Sequence, residues 1–206
     1  MAIRNIIFDL GGVFIDIHYH LTREAFIAAG LTDFDAYYQQ SFSNPLFVAL
    51  ETGKIAPPDF YEQLRAQTGL ALSNQTIEQA WNAMLGKFRP ASIASVAPLR
   101  GRYRVYLLSN TNQIHYNCFL QAYQQQIGGN PFNGLFDTAY YSHHMGLRKP
   151  DAEAYQHILD TEGLLAAETL FIDDTPKNIA GAKAVGLQTG WLQPGMQLED
   201  SLPLWL

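Results

Sequence analysis

The sequence predicts an α/β fold: a doubly wound parallel sheet with a helical cap inserted after the first strand. Three observations carry that reading. Short continuous apolar runs, Ile6-Ile7-Phe8, Tyr106-Leu107-Leu108 and Leu170-Phe171-Ile172, have the pattern of strands buried on both faces. After Pro90 such runs alternate with amphipathic segments, as in a sheet wound by crossover helices. About seventy residues of helical pattern separate the first run from the others.

Taken in order, Arg4–Asp9 reads as the first strand, broken by Gly11-Gly12. Tyr19 to Phe88 reads as several short helices punctuated by Gly30, Gly53, Pro57-Pro58, Gly69 and Gly86. Within it Ile77, Trp81, Met84 and Leu85 share one face at helical spacing. A helix near Ala91–Leu99, a strand over Tyr103–Leu108 and a helix near Gln113–Gln125 follow. Next come an irregular loop at Ile127–Gly134, a strand near Asp137–Ser142 and a helix over Ala152–Glu162. The chain closes with a strand over Thr169–Ile172, a helix over Pro176–Val185 and a last strand at Gln188–Leu192. The expected domains are a core of residues 1–18 and 89–206 and a cap of residues 19–88. In the tail, Leu202, Leu204, Trp205 and Leu206 are expected to pack back on the core.

Composition narrows the function classes. The chain has 206 residues, 48% hydrophobic and 16% charged, ordinary for a folded globular protein with room for one domain and an insertion. No apolar run reaches the roughly 18–20 residues that span a bilayer, so no membrane partner is expected. The N-terminal apolar stretch is too short for a signal peptide. A single cysteine, Cys118, rules out an internal disulfide and fits a cytoplasmic setting. A net charge of −6 argues against a nucleic-acid partner.

Chemistry concentrates where the strands end. In a parallel sheet those ends converge on one crevice. They would bring a nucleophilic carboxylate (Asp9), a hydroxyl (Ser109), a cation (Lys149) and an acidic pair (Asp173, Asp174) together. That set suits phosphoryl transfer through an aspartyl-phosphate with Mg²⁺. Singly, each has a plainer reading: Asp9 and Ser109-Asn110 as turn residues, Lys149 as a solvated lysine held extended by Pro150. The acidic pair is the most telling, because adjacent carboxylates at a strand end repel unless a cation joins them. Thr175 is the expected N-cap and Pro176 the first residue of the helix behind them.

Order and spacing of these motifs resemble the haloacid dehalogenase-like hydrolase superfamily from about Ile3 to Leu192. The wording is most similar to its branch of bacterial α-D-glucose-1-phosphate phosphatase-like proteins. Asp9-Leu10-Gly11-Gly12-Val13 corresponds to the first family motif, Ser109 in LLSNTN to the second, Lys149 in GLRKPD to the third, and Asp173-Asp174 with Asn178 to the fourth. The resemblance implies Asp9, Ser109 and Lys149 as catalytic residues and Ser109, Asn110 and Lys149 as substrate-binding residues. It implies Asp9, the Gly11 carbonyl, Asp173 and Asp174 as ligands of Mg²⁺. The implied activity is a phosphatase acting on a small phosphorylated metabolite such as a sugar phosphate, as a monomer or homodimer.

One departure stands out. The family's second motif-one aspartate, the general acid and base, is Gly11 here. General acid–base catalysis is worth roughly 10²–10⁴-fold, or about 3–5 kcal/mol. Either the leaving group departs unprotonated, or Asp16, His18, His20 or a cap residue supplies the proton. His18, His20, His143 and His144 all have the plainer reading of solvated imidazoles. Three alternatives stay open: an idle phosphate- or metabolite-binding module, a metal-independent dehalogenase, and a phosphonatase using Lys54 or Lys87. Tyr37, Tyr38, Phe47, Phe60, Tyr61, Trp81 and Phe88 could line a sugar pocket, but at this density they are expected to form the cap's own core and the cap–core seam. Cys118 is expected to be a small buried residue.

Overall fold

In the computed structural model, which describes residues 2–39 and 42–206, the first strand is β1 (Asn5–Phe8) and Asp9 follows it directly. Then come β2 (Ile15–Ile17), α1 (Tyr19–Ala28), the short pair β3 (Tyr38–Gln39) and β4 (Phe42–Ser43), and α2 (Pro45–Glu51). They are followed by α3 (Pro57–Thr68), α4 (Asn74–Asn82), β5 (Leu85–Phe88) and α5 (Pro90–Ala94). The remainder alternates: β6 (Arg104–Ser109), α6 (Gln113–Gln126), β7 (Thr138–Tyr141), α7 (Ser142–Met145) and α8 (Ala152–Glu162). It ends with β8 (Thr169–Asp173), α9 (Pro176–Ala184), β9 (Gln188–Trp191) and α10 (Leu198–Trp205).

Five strands form one parallel sheet in the order β7-β6-β1-β8-β9, with β1 at its centre. Every residue of β1 and β8 is buried, as the unbroken apolar runs require. Register positions the chemistry. Phe8 lies level with Leu107 of β6 and Ile172 of β8, so Asp9, Ser109 and Asp173 emerge together at the carboxyl edge. There the chain order reverses across β1, the usual place for a ligand crevice.

The region between β2 and β5 has a core of its own, including Phe26, Phe34, Phe47, Phe60, Leu64, Ile77 and Trp81. Aromatic rings dominate it; Phe26 stacks on Phe34 at 4.6 Å, and Phe47 packs edge-on to Phe60 at 5.2 Å. Tight packing of this kind makes the helical unit a rigid roof. The expectation that the short helices continue to Phe88 needs correction. Helix α4 stops at Asn82, and Leu85–Phe88 pairs antiparallel with Ile15–Ile17. Leu85 has helical spacing from Trp81, but α4 ends before it, and Gly86 lies in β5, where no Cβ would fit against Asp16.

Two smaller corrections concern helix ends. The side chain of Thr175 does not cap α9; it donates to Asp174 Oδ1 at 3.0 Å. The tail forms α10, which buries Leu198 and Leu202 and sets Trp205 against Gly190, while Leu204 is 74% exposed and Leu206 also faces solvent. Among the described residues, no helix is long and apolar enough to cross a membrane.

Candidate active site

Lys149 is the hinge of the site. It is only 1% exposed, against its plainer reading as a solvated side chain. Burying an ammonium costs several kcal/mol unless carboxylates meet it. Its Nζ donates to Asp9 Oδ1 at 2.6 Å and to Asp173 Oδ2 at 2.7 Å. Those carboxylates hold the ammonium above its ordinary pKa although burial alone would lower it. Asn110 sets the lysine's backbone: its Nδ2 donates to the Lys149 carbonyl at 2.8 Å, and its Oδ1 accepts from the Lys149 N–H at 2.9 Å. The Asn110 amide is thus spent on the loop that delivers Lys149. Ser109 is buried at the end of β6 and lines the same cavity.

The acids divide their work. Carboxylate oxygens of Asp9, Asp173 and Asp174 all lie within 4.8 Å of one another. Asp173 is saturated: Oδ1 accepts from the Thr175 N–H at 2.7 Å, Oδ2 from Lys149, and both oxygens from Asn178 Nδ2. Among the described residues the one side chain that donates to Asp174 is the Thr175 hydroxyl, so Asp174 is the freer donor for a cation. Burial, then the charges of Asp173 and Asp174, push Asp9 up to about 8, with Lys149 opposing. Three carboxylates against one ammonium leave a surplus that a divalent, oxygen-preferring cation would balance.

Gly12 makes that convergence possible. Its φ is +68°, and a Cβ there would collide with the Asp174 carboxylate. Gly12→Ala would carry a left-handed backbone cost of roughly 1–2 kcal/mol and drive Asp174 aside. It should raise the Mg²⁺ concentration for half-maximal activity about tenfold or more, the range of a displaced ligand support. An unchanged metal titration would separate Gly12 from the metal set.

The cavity is about 720 Å³ and runs from Asp9, Gly11, Ser109, Lys149 and Asp174 up to the helical roof. Asp16 and His18 line it; His20, His143 and His144 do not, nor do Lys54 and Lys87, the candidates for imine chemistry. Asp16 is held by Arg89, which donates from Nε at 2.8 Å and also grips the Gly12 carbonyl. Of the expected cap-core aromatics, Phe47, Phe60, Tyr61 and Trp81 are buried as expected, whereas Tyr38 also reaches the cavity. Cys118 is half-buried and does not line it.

Sequence reasoning missed Tyr19, Glu51, Arg89 and Arg148. Tyr19 is 39% exposed, but it opens on the cavity. Burial there, then the charges of Asp174, Asp9 and Glu51, raise its phenol and keep it protonated. Glu51 comes from the last turn of α2 and sits 3.1 Å from Arg148, the residue before Lys149. The only sequence signal for Arg148 was its adjacency to that lysine.

A family model for haloacid dehalogenase-like hydrolases matches residues 3–186. The chain belongs to this family. Among curated relatives, a D-ribitol-5-phosphate phosphatase of Bacteroides thetaiotaomicron is 33% identical over 99% of this chain and 98% of its own length. A sesquiterpene phosphatase of Aspergillus oryzae is 37% identical over 74% of this chain and 71% of its own. A family enzyme of B. thetaiotaomicron, solved with magnesium and inorganic phosphate, superposes with a TM-score of 0.83 at 30% identity, covering 94% of this chain and 96% of that one. Dehalogenase structures at 20% and 24% identity share the fold alone. Gly11 keeps a backbone carbonyl beside Asp9 and offers no carboxylate.

Proposed function

We propose that this haloacid dehalogenase-like hydrolase is a Mg²⁺-dependent phosphatase of a small phosphorylated metabolite, a sugar or sugar-alcohol phosphate, working through an aspartyl-phosphate on Asp9. The observation that carries this reading is the buried Asp9–Lys149–Asp173 chain beside a freer Asp174. An idle binding module has no need of a nucleophile held at 2.6 Å by a buried lysine. Likeness to the ribitol-phosphate enzyme over nearly the whole chain supports the substrate class.

Asp9, Asp174 and the Gly11 carbonyl would hold the cation, with Asp173 completing the set or orienting Lys149. When bound, Mg²⁺ neutralises the carboxylates and the phosphoryl oxygens. With one Asp9 oxygen fixed by Lys149, the other attacks phosphorus in line, the P–O bond to the leaving group breaks, and the leaving oxygen takes a proton from water or from His18 at the cavity wall. Lys149, the Ser109 hydroxyl and the backbone N–H groups following Asp9 and Ser109 stabilise charge on the transferring group. Water then hydrolyses the acyl-phosphate and frees Asp9. The cap of residues 19–88 excludes bulk water and selects the leaving group.

Phosphate release from p-nitrophenyl phosphate with Mg²⁺ or with EDTA tests the reading; release without metal would overturn it. Binding is checked separately. At about 100 times Kd, Mg²⁺ adds about 2.7 kcal/mol, roughly 5–10 °C in Tm for a chain of this size. Asp174→Asn should abolish that shift, and a shift that persists would remove Asp174 from the metal set.

A further inference from the structure

The cavity has a second polar wall that the phosphoryl chemistry does not use. In the same cavity as Asp9, the cap presents Glu51 from α2, Tyr19 from the start of α1 and Tyr38 from β3. Glu51 is 8% exposed, yet among the described residues no hydrogen bond reaches either of its carboxylate oxygens. Arg148 Nη1 lies 3.1 Å from Oε2 without an aligned N–H, so the contact is an ion pair that leaves the acceptor capacity unused. Buried carboxylates normally have hydrogen-bond partners. The two phenols nearby carry hydroxyls that both donate and accept.

Such a wall selects by chemistry. A carboxylate accepts hydrogen bonds and repels anions, so a leaving group bearing a second phosphate or a carboxylate would face Glu51 at a loss. A hydrocarbon leaving group would seal Glu51 away from water without a donor, which is costly. Hydroxyl groups supply the missing donors, and the phenols can bond the same hydroxyls in return. Arg148 offsets part of that repulsion, so the selection rests chiefly on the unused acceptor capacity of Glu51, which hydroxyl donors satisfy and anions or hydrocarbons do not. The cavity is of a size that takes a phosphate together with a short polyol.

We propose that Glu51, flanked by Tyr19 and Tyr38, reads the hydroxyls of an uncharged polyol leaving group, making Glu51 a specificity-determining residue of this enzyme. The proposal rests on the phosphatase reading and names its substrate class. It also gives the Glu51–Arg148 pair a second role: the pair joins the cap to the loop carrying Lys149 and so fixes the wall over the nucleophile.

The test compares kcat/KM for D-ribitol-5-phosphate, 2-phosphoglycolate, farnesyl phosphate and p-nitrophenyl phosphate in the wild type and Glu51→Gln. The wild type should prefer the polyol phosphate to the phosphoglycolate and the farnesyl phosphate. In Glu51→Gln the polyol-to-aryl ratio should fall at least tenfold, chiefly through KM, and the phosphoglycolate-to-aryl ratio should rise. Should that variant not fold, Glu51→Leu combined with Arg148→Met removes both charges together and should show the same fall. Wild-type preference for the carboxylated or the terpenyl substrate would overturn the proposal, as would unchanged ratios in the variants. No release from any of the four substrates by the folded wild type would instead overturn the phosphatase reading, and this proposal with it.

Discussion

Asp9→Asn is expected to lower phosphate release by about 10⁴-fold or more, the scale seen when a covalent nucleophile is removed. An amide has the shape of the carboxylate but cannot attack phosphorus or accept it as an acyl-phosphate. The same substitution should not destabilise the metal-free protein. Burial and two neighbouring acids raise Asp9 from an ordinary 3.8 to about 8, so the fold favours a neutral group there. A raised carboxylate contributes stability that is complete below its unfolded pKa and is lost as pH rises through the folded one. At pH 7 to 8 the metal-free wild type has lost much of that contribution, and the uncharged Asn has not. Tm without Mg²⁺ should therefore stay level or rise in the variant while turnover vanishes, as when an active site trades stability for function. A variant keeping more than a few per cent of wild-type rate would remove Asp9 as the nucleophile. A large fall in Tm would show instead that the ion pair with Lys149 outweighs the cost of crowding the acids.

The parts of the site on strand ends were legible in the sequence; the parts delivered by packing were not. Asp9 and Asp173 each follow a run that can only be a buried strand, and parallel register then puts them at one edge. The burial of Lys149 was not legible, because a lysine before a proline reads as exposed until two carboxylates from other strands are seen to meet it. Strands β2 and β5 are three and four residues long, too short for a period to show. Leu85 moreover continues the apolar face of α4 by spacing alone. Glu51 and Tyr19 reach the cavity only through the docking of the cap on the core. No local pattern distinguishes a glutamate at a helix end that faces solvent from one that faces a nucleophile.

Gly11→Asp has the next largest expected effect, because it would restore the carboxylate that the family uses for proton transfer. General acid–base catalysis is typically worth 10²–10⁴-fold, and its value depends on how badly the leaving oxygen needs a proton. An alkoxide needs one; a nitrophenolate scarcely does. Turnover of alkyl phosphates should therefore rise much more than that of p-nitrophenyl phosphate, by about 10²-fold in the ratio. Packing sets the limit. Gly11 lacks the positive φ of Gly12, so its backbone accepts a side chain, but a Cβ there would lie 3.1 Å from Ile17 Cγ1. Ile17 is half-buried in the short strand β2 and must give by a few tenths of an ångström. Overpacking of this kind costs roughly 1–3 kcal/mol, so Gly11→Asp should lower Tm. Ile17→Val in the same chain should recover part of that loss without changing the substrate ratio. Equal gains on both substrate classes, or no gain in the repacked double variant, would mean that Asp16 or His18 already supplies the proton. Gly11 would then be no catalytic defect, because another residue of this chain carries the acid.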